Sequence, residues 1–219
     1  MTRISRFLAI VFPLVALAAS AVLYPQFPER VPIHWNIHGQ VDGWGDKAWA
    51  VFLTPGIMTA MLALFAAFPW LSPKRFSLDS FLGVYWFIIA TIEVTMAYIH
   101  GLTLWAAWIG PVDITRAMLI GLLAMFGLIG GAMRGVRQNF WVGVRTPWTI
   151  ASERVWNDTH VLAARTFIAA AVIGMLAAIL PFPIEAVAGI VIALIMGAAF
   201  TPVIYSLVHY KALERRGEI

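Results

Sequence analysis

The stretch IEAVAGIVIALIMGAAFTPVIY, residues 184–205, carries one charged side chain, Glu185, among residues that are almost all apolar. A helix needs about 20 such residues to cross the roughly 30 Å hydrocarbon layer of a bilayer. The whole chain shares this character, since 61% of its 219 residues are hydrophobic and 12% are charged. That is more apolar sequence than a soluble domain needs to fill its core. The sequence therefore predicts an integral membrane protein.

Five further stretches are long and apolar enough to span the bilayer: residues 7–24, 48–71, 81–105, 117–133 and 164–180. Because hydrocarbon offers no partner for an unpaired backbone N–H or C=O, each of them is expected to be a helix. We therefore predict an all-α fold in one membrane domain, residues 1–219, built as a polytopic bundle of about six transmembrane helices. The first stretch also has the features of a signal peptide, with a cleavage site at Ala19-Ser20-Ala21.

Lysine and arginine are distributed unevenly between the two sides of these spans. With the N-terminus in the cytosol, 12 of the 15 fall in cytosolic segments, and Arg30, Lys47 and Arg116 fall outside. Since cytosolic segments are enriched in these residues, the distribution predicts an N-in, C-in topology. It also accounts for the net charge of +4 without direct binding of nucleic acid. The absence of cysteine excludes disulfides, thiolate metal sites and cysteine nucleophiles.

Two connections are long and polar, and we expect function there because loops held by a rigid scaffold commonly carry binding groups. The extracytoplasmic loop, residues 24–48, contains VPIHWNIHGQVDGWGDK at positions 31–47. Its prolines forbid a regular helix and favour extended backbone, and its glycines suit tight turns. The cytosolic loop is residues 134–162.

The extracytoplasmic loop admits two interpretations. His34 and His38 have the i, i+4 spacing of helical zinc ligands, with Asp42 as a third ligand. Pro32 and Gly39, however, leave barely one helical turn between them. In the alternative, polar side chains satisfy one another and the turn backbone, while tryptophans anchor the loop at the membrane interface. The polar set is His34, Asn36 and Asp42, and the tryptophans are Trp35, Trp44 and Trp49.

The cytosolic loop reads RGVRQNFWVGVRTPWTIASERVWNDTH over residues 134–160. Thr149 or Ser152 is suited to cap a helix whose first turn holds Glu153. Trp156 and His160 share one face of that helix, and we expect it to be amphipathic and to lie along the cytosolic leaflet. The arginines of the loop either pair with lipid phosphates or belong to a docking surface formed by Asn139, Arg145, Thr146, Trp148, Trp156 and His160.

Two ionisable side chains, Glu93 and His100, fall inside the third predicted span and share a helix face. Burying an ionisable group in a bilayer is costly, so such residues are candidates for proton relay or substrate coordination. The alternative is a neutral carboxyl group bonded to a nearby hydroxyl, Thr91 or Thr95, or to a facing helix.

Together the two loops resemble those of a known bacterial family. The outer loop is similar to the signature P-x-H-W-N-x-x-G-x-x-D of a bacterial membrane domain of unknown function, at Pro32, His34, Trp35, Asn36, Gly39 and Asp42. The inner loop resembles the signature of the SdpI family at Asn139, Gly143, Arg145, Thr146, Pro147, Trp148, Thr149, Trp156 and His160. In that family the two motifs occur together, in this order.

This resemblance implies a multi-pass protein of the bacterial cytoplasmic membrane, with the lipid bilayer as its first partner. The namesake of the family is an immunity protein that protects a cell from its own secreted peptide toxin and holds a small DNA-binding repressor at the membrane. By resemblance, the outer motif would sense the toxin and the inner motif would dock the repressor, with no enzymatic activity, cofactor or metal. The residues themselves leave two alternatives open: a small proton-coupled transporter using Glu93, and a metal-dependent membrane enzyme using His34, His38 and Asp42.

Overall fold

A computed structural model describes residues 2–109 and 113–219 of the chain. Within that part, six helices are long and apolar enough to cross a membrane, which confirms the predicted all-α, multi-pass bundle. They are α1 (Thr2–Leu23), α2 (Lys47–Leu71), α3 (Leu82–Trp108), α4 (Ile114–Met133), α6 (Glu153–Ile179) and α7 (Ile184–Arg215), with a short helix α5 (Pro147–Ala151) before α6. The protein is therefore a multi-pass membrane protein.

The six long helices pack as two groups of three. Helices α1, α2 and α3 contact one another, as do α4, α6 and α7, and α3 packs against α4 to join the groups. A buried apolar cluster crosses this junction and includes Tyr85, Met133 and Trp156. Helices α4 and α6 approach closely at Gly130, where a Cβ would lie 2.8 Å from the Cβ of Phe167. Small residues permit such close helix packing in membranes.

The segment between α1 and α2 folds as a β-hairpin of β1 (Arg30–Trp35) and β2 (Val41–Asp46), paired antiparallel. The predicted extended backbone is observed, whereas the strand pairing was not predicted. The register shifts between Pro32 and His34, where proline has no N–H to give to the ladder. Gly39 turns the chain with a φ of 74°. The Asp46 carboxylate then caps α2 by accepting hydrogen bonds from the backbone N–H groups of Ala48 and Trp49.

The two ends of the bundle carry different loops. The hairpin end carries the β-hairpin together with the starts of α2 and α7. The opposite end carries residues 134–152, the RTPWT loop, which runs from the end of α4 through α5 to the start of α6. The two motif-bearing loops therefore lie at opposite ends of the bundle.

Helix α6 begins at Glu153, well before position 164, where the fifth span was expected to start. The Ser152 hydroxyl accepts a hydrogen bond from the Val155 N–H and caps the helix. Ser152 was one of the two residues predicted for this cap. Trp156 and His160 lie in the first turns of this long helix, and both are almost fully buried. The structure therefore places them inside the bundle end and not on a separate amphipathic helix along the leaflet.

Candidate functional site

The hairpin end has a half-open cavity of about 510 Å³ between the β-hairpin and the last turns of α3. Its lining includes Pro32, Trp35 and Trp44 from the strands and Ala106 and Ala107 from α3. The Trp44 side chain is 52% exposed. Aromatic walls with a few polar groups at the rim are typical of sites that bind apolar ligands. This cavity brings together Trp35 and Trp44, two of the three tryptophans that were predicted to anchor the loop at the interface, whereas Trp49 lies outside its lining.

Most polar motif residues of the outer loop satisfy one another within the hairpin. The ring Nδ1 of His34 pairs with the Asp42 carboxylate across the strands. The Asn36 side-chain oxygen accepts hydrogen bonds from the backbone N–H groups of His38 and Gln40, at 2.9 and 3.0 Å. Asn36 thus builds the turn in which Gly39 takes its positive φ. This geometry matches the second interpretation of the loop, in which these side chains satisfy the turn.

His38 has a different role, which the sequence did not reveal. Its Nδ1 lies 3.3 Å from a carboxylate oxygen of Glu185, at the start of α7. The carbonyl of Asn36 also accepts a hydrogen bond of 3.4 Å from the Thr115 hydroxyl on α4. The hairpin therefore joins the first group of helices to the second. No sequence signal pairs positions so far apart.

His34 and His38 contact different carboxylates, so they do not converge on one point. Across residues 2–109 and 113–219, no three His, Cys, Asp or Glu side chains are grouped so that they could hold a metal ion. The described hairpin therefore gives no support to the zinc-ligand interpretation of His34, His38 and Asp42.

At the other end, Asn139 is fully buried and organises the start of the RTPWT loop. Its side-chain oxygen accepts hydrogen bonds from the N–H groups of Trp141 and Val142, and its amide donates to the carbonyls of Arg137 and Val142. Trp141 in turn stacks on Phe68 of α2, with ring centroids 4.1 Å apart. These contacts fix the loop against the end of the first helix group.

His160 holds the middle of the RTPWT loop. Its Nε2 accepts a hydrogen bond of 3.1 Å from the Val144 N–H, so the proton of the neutral ring is on Nδ1, which donates to the Trp156 carbonyl. The rings of Trp156 and His160 stack, with centroids 4.2 Å apart. Gly143 has a φ of 107°, and a Cβ there would collide with the His160 ring. Gly143 is thus required by both its backbone conformation and its packing.

Thr146 and Thr149 form a reciprocal capping box at the start of α5, with Pro147 in the first turn. Thr149, one of the two predicted caps of the following helix, therefore belongs to α5 while Ser152 caps α6. The Thr146 hydroxyl also hydrogen-bonds the Ser206 hydroxyl on α7, at 2.9 Å. The loop is therefore fixed to the second helix group as well.

Burial divides the nine residues of the inner motif, which include the predicted docking surface, into two sets. The buried set is Asn139, Thr146, Thr149, Trp156 and His160. These side chains bond within the loop or to its neighbours and are not available to a partner. Arg145 and Pro147 are exposed, and Trp148 and Gly143 are half-buried. Of the nine motif residues, only Gly143, Arg145, Pro147 and Trp148 have surface that a partner could reach.

Glu93 and His100 are seven residues apart on one face of α3, and His100 contacts α1. Glu93 is fully buried, and among the described residues no hydrogen-bond donor reaches either of its carboxylate oxygens. The predicted bond to Thr91 or Thr95 is not formed, because those hydroxyls donate to the backbone carbonyls of Phe87 and Thr91. His100 Nε2 lies 2.8 Å from the Ser20 hydroxyl on α1.

Comparison with known proteins agrees with this division into two loops. Residues 136–206 match the SdpI/YfhL protein family. The resemblance to the SdpI family is confirmed. Residues 11–59, which include the hairpin, match a domain of unknown function, DUF1648. The SdpI match begins within the RTPWT loop and extends into α7, so α3 with Glu93 lies outside both matched segments.

Immunity protein SdpI of Bacillus subtilis (strain 168) is 27% identical to this chain over 210 residues. The aligned region covers 94% of this chain and 96% of the relative. The similarity therefore extends over nearly the whole of both proteins, including α3 and α4 between the two matched segments. No solved structure matches the chain.

Proposed function

We propose that this protein is an immunity protein of the bacterial cytoplasmic membrane, and that it protects the cell by binding a secreted peptide toxin at the hairpin end. The proposal is supported by the end-to-end similarity to Immunity protein SdpI. The observation that carries it is the cavity of about 510 Å³ beneath Trp35 and Trp44. In this proposal the protein acts by binding and not by catalysis.

The cavity suits an apolar peptide segment for two reasons. Trp44 leaves about half of its surface free for a ligand, and a fully buried aromatic side chain removes roughly 150–250 Å² from water. The rim carries the polar side chains His38 and Gln40, which can bond to peptide backbone groups. With the predicted N-in, C-in topology, this cavity opens on the extracytoplasmic side, where a secreted toxin arrives.

We extend the proposal to a sensor that recruits a cytosolic repressor through Arg145 and Trp148. Both ends of the protein touch the same helix, α7: His38 contacts Glu185 at its start, and Thr146 contacts Ser206. These two points on α7 are 21 residues apart, or about 32 Å along a helix. A ligand that binds at one end changes the affinity for a partner at the other end if it favours one of two arrangements of a helix that both ends contact. A shift of α7 is the coupling that this geometry supports.

The test is complementation in a Bacillus subtilis strain that lacks Immunity protein SdpI but still secretes the toxin. The proposal predicts that expression of this protein restores survival, and that Trp44→Ala abolishes most of the protection because it removes a wall of the cavity. Trp70→Ala is the matched control, since Trp70 is 85% exposed and lies at the far end of α2. Equal killing with and without the wild-type protein would overturn the proposal.

A further inference from the structure

Helices α1 and α3 run parallel, and two pairs of side chains define how they align. The Arg6 guanidinium lies over the Trp86 ring, 5.3 Å from its centroid. The Ser20 hydroxyl lies 2.8 Å from His100 Nε2. Both pairs are separated by 80 positions in the sequence. The same offset places Glu93 opposite Pro13, two helical turns or about 10 Å from each pair.

Pro13 leaves an unpaired acceptor in this helix interface. A proline inside a helix has no N–H to give to the carbonyl four residues earlier, here that of Ala9. Ala9, Pro13 and Glu93 are all buried. A carboxylate can only accept hydrogen bonds, whereas a neutral carboxyl group has an O–H to donate. A neutral Glu93 is therefore matched to an interface that offers a carbonyl, and an ionised one is not.

No counter-ion compensates an ionised Glu93 within the described part of the chain, because no basic nitrogen lies within salt-bridge distance of its oxygens. An unpaired buried carboxylate is very costly in a medium of low dielectric constant. The charged or titratable side chains on α3 and on the elements packed against it are Arg3, Arg6, Arg30, His34, Lys47, Asp79, Tyr85, Tyr98, His100 and Arg116.

The hydrogen bonds of Ser20 determine the protonation of His100. The hydroxyl has one proton, and it donates that proton to the Val51 carbonyl at 2.8 Å. The Ser20 oxygen must then accept from His100, so the imidazole carries its proton on Nε2 and has a free lone pair on Nδ1. Nδ1 is buried, and no described group donates to it. His100 therefore presents a base on the hairpin side of Glu93.

We infer that Glu93 is an exchangeable proton-binding site inside the membrane, and that His100, held by Ser20, carries protons between it and the hairpin end. In the resting state the carboxyl group of Glu93 is neutral. On release, the proton leaves the carboxyl oxygen and crosses the roughly 10 Å to His100 through water that enters between α1 and α3. It binds His100 Nδ1 to give an imidazolium, which then gives a proton to water at the hairpin end. No other bond changes. The site does not depend on the proposed immunity function.

The direct test uses the full-length protein in phospholipid vesicles and dicyclohexylcarbodiimide, an apolar reagent that modifies protonated carboxyl groups in apolar surroundings. The carboxyl proton moves to a carbodiimide nitrogen, the carboxylate adds to the central carbon, and the adduct rearranges to a stable acylurea. Mass spectrometry of the peptide that contains Glu93 measures the product. We expect labelling at Glu93 that falls about tenfold per pH unit above its midpoint. Glu93→Gln removes the product from this peptide.

Glu185 provides the internal comparison, because its side chain is 54% exposed at the hairpin end. A water-soluble carbodiimide is expected to modify Glu185 and to leave Glu93 unmodified. Absence of dicyclohexylcarbodiimide product at Glu93 at every pH, or a yield that does not change with pH, would overturn the proton site. Because these measurements use the wild-type protein, they do not depend on the folding of any variant.

The route is tested by changing the pH on one side of the vesicles. In the wild-type protein, labelling of Glu93 should follow a pH jump on the hairpin side promptly and a jump on the opposite side slowly. His100→Phe should remove the prompt response while leaving the labelling itself intact. A prompt response to the hairpin-side jump in His100→Phe would show that His100 is not the carrier.

Discussion

The hydroxyls of Thr146 and Ser206 hydrogen-bond at 2.9 Å and fix the RTPWT loop to α7, 60 positions later in the chain. Both side chains are buried. Thr146 also forms the capping box of α5 with Thr149, so one residue stabilises a helix start and a long-range contact. The exposed Arg145 and the half-buried Trp148 flank this fixed point. Their position relative to α7 therefore depends on Thr146.

Replacing Thr146 by valine keeps the shape of the side chain and removes its hydroxyl. The cap of α5 and the bond to Ser206 are both lost, so we expect the free energy of unfolding to fall by about 1–2 kcal/mol. Unfolding in mixed detergent micelles measures the change. Thr201→Val is the matched control, because Thr201 is exposed on the same helix as Ser206. An equal effect of the two substitutions would contradict the assigned role of Thr146.

Gly143→Ala should destabilise the loop, because a side chain at a φ of 107° is strained and its Cβ would collide with His160. We expect a cost of about 1–3 kcal/mol, measured as a lower unfolding midpoint and faster hydrogen exchange at the Val144 N–H. Gly131→Ala is the comparison, since a Cβ at Gly131 meets nothing within 4 Å. If Gly143→Ala were as stable as Gly131→Ala, the observed packing of His160 would be wrong.

The proposed repressor surface can be tested with a photo-crosslinking residue in place of Ala151, which is exposed at the end of α5. We expect the probe to capture a small DNA-binding protein in living cells. Arg145→Ala and Trp148→Ala should each abolish this capture without changing the amount of protein in the membrane. Arg165→Ala removes an exposed arginine of α6 and should have no effect. If the probe captured only lipid and membrane proteins when Arg145 and Trp148 are both present, repressor docking would be refuted.

The contact between His38 and Glu185 joins two half-exposed side chains, so its contribution to stability should be small, about 0–1 kcal/mol. Its expected effect is on the mobility of the hairpin. Glu185→Gln should speed hydrogen exchange in residues 36–41, because one of the contacts that hold this turn to the second helix group is weakened. Asp42→Asn is the control, since it removes a contact that lies within the hairpin. Equal exchange at these positions in Glu185→Gln and wild type would exclude this role.

The six spans were predictable because the bilayer imposes the same length and hydropathy on every crossing helix. The start of α6 was not, because hydropathy does not detect helical turns that bear Glu153, Arg154, Asn157 and Asp158. Those turns are helical because Ser152 caps them and because the buried face at Trp156 and His160 packs against the RTPWT loop. Such packing brings together positions that are far apart in sequence.

The hairpin was missed for a local reason. Strand β2 is VDGWGD, and its two glycines and two aspartates are unfavourable in strands. The pairing itself explains the glycines, because a Cβ on Gly43 would lie 2.8 Å from the Cβ of His34 on β1. Likewise, the sequence could not separate the buried Asn139 and His160 from the exposed Arg145, because burial depends on contacts between residues that are distant in sequence.

Two hydrogen bonds determine when the RTPWT loop can fold during synthesis. One joins Val144 to His160 and the other joins Thr146 to Ser206. The ribosome makes the loop before it makes α6 and α7, so the residues that hold the loop in shape emerge after it. Arg145 and Trp148 therefore reach their final positions after the last helix has entered the membrane. A chain stalled before α7 would display the motif without its shape. Recruitment of a partner would then report that the protein has been completely inserted.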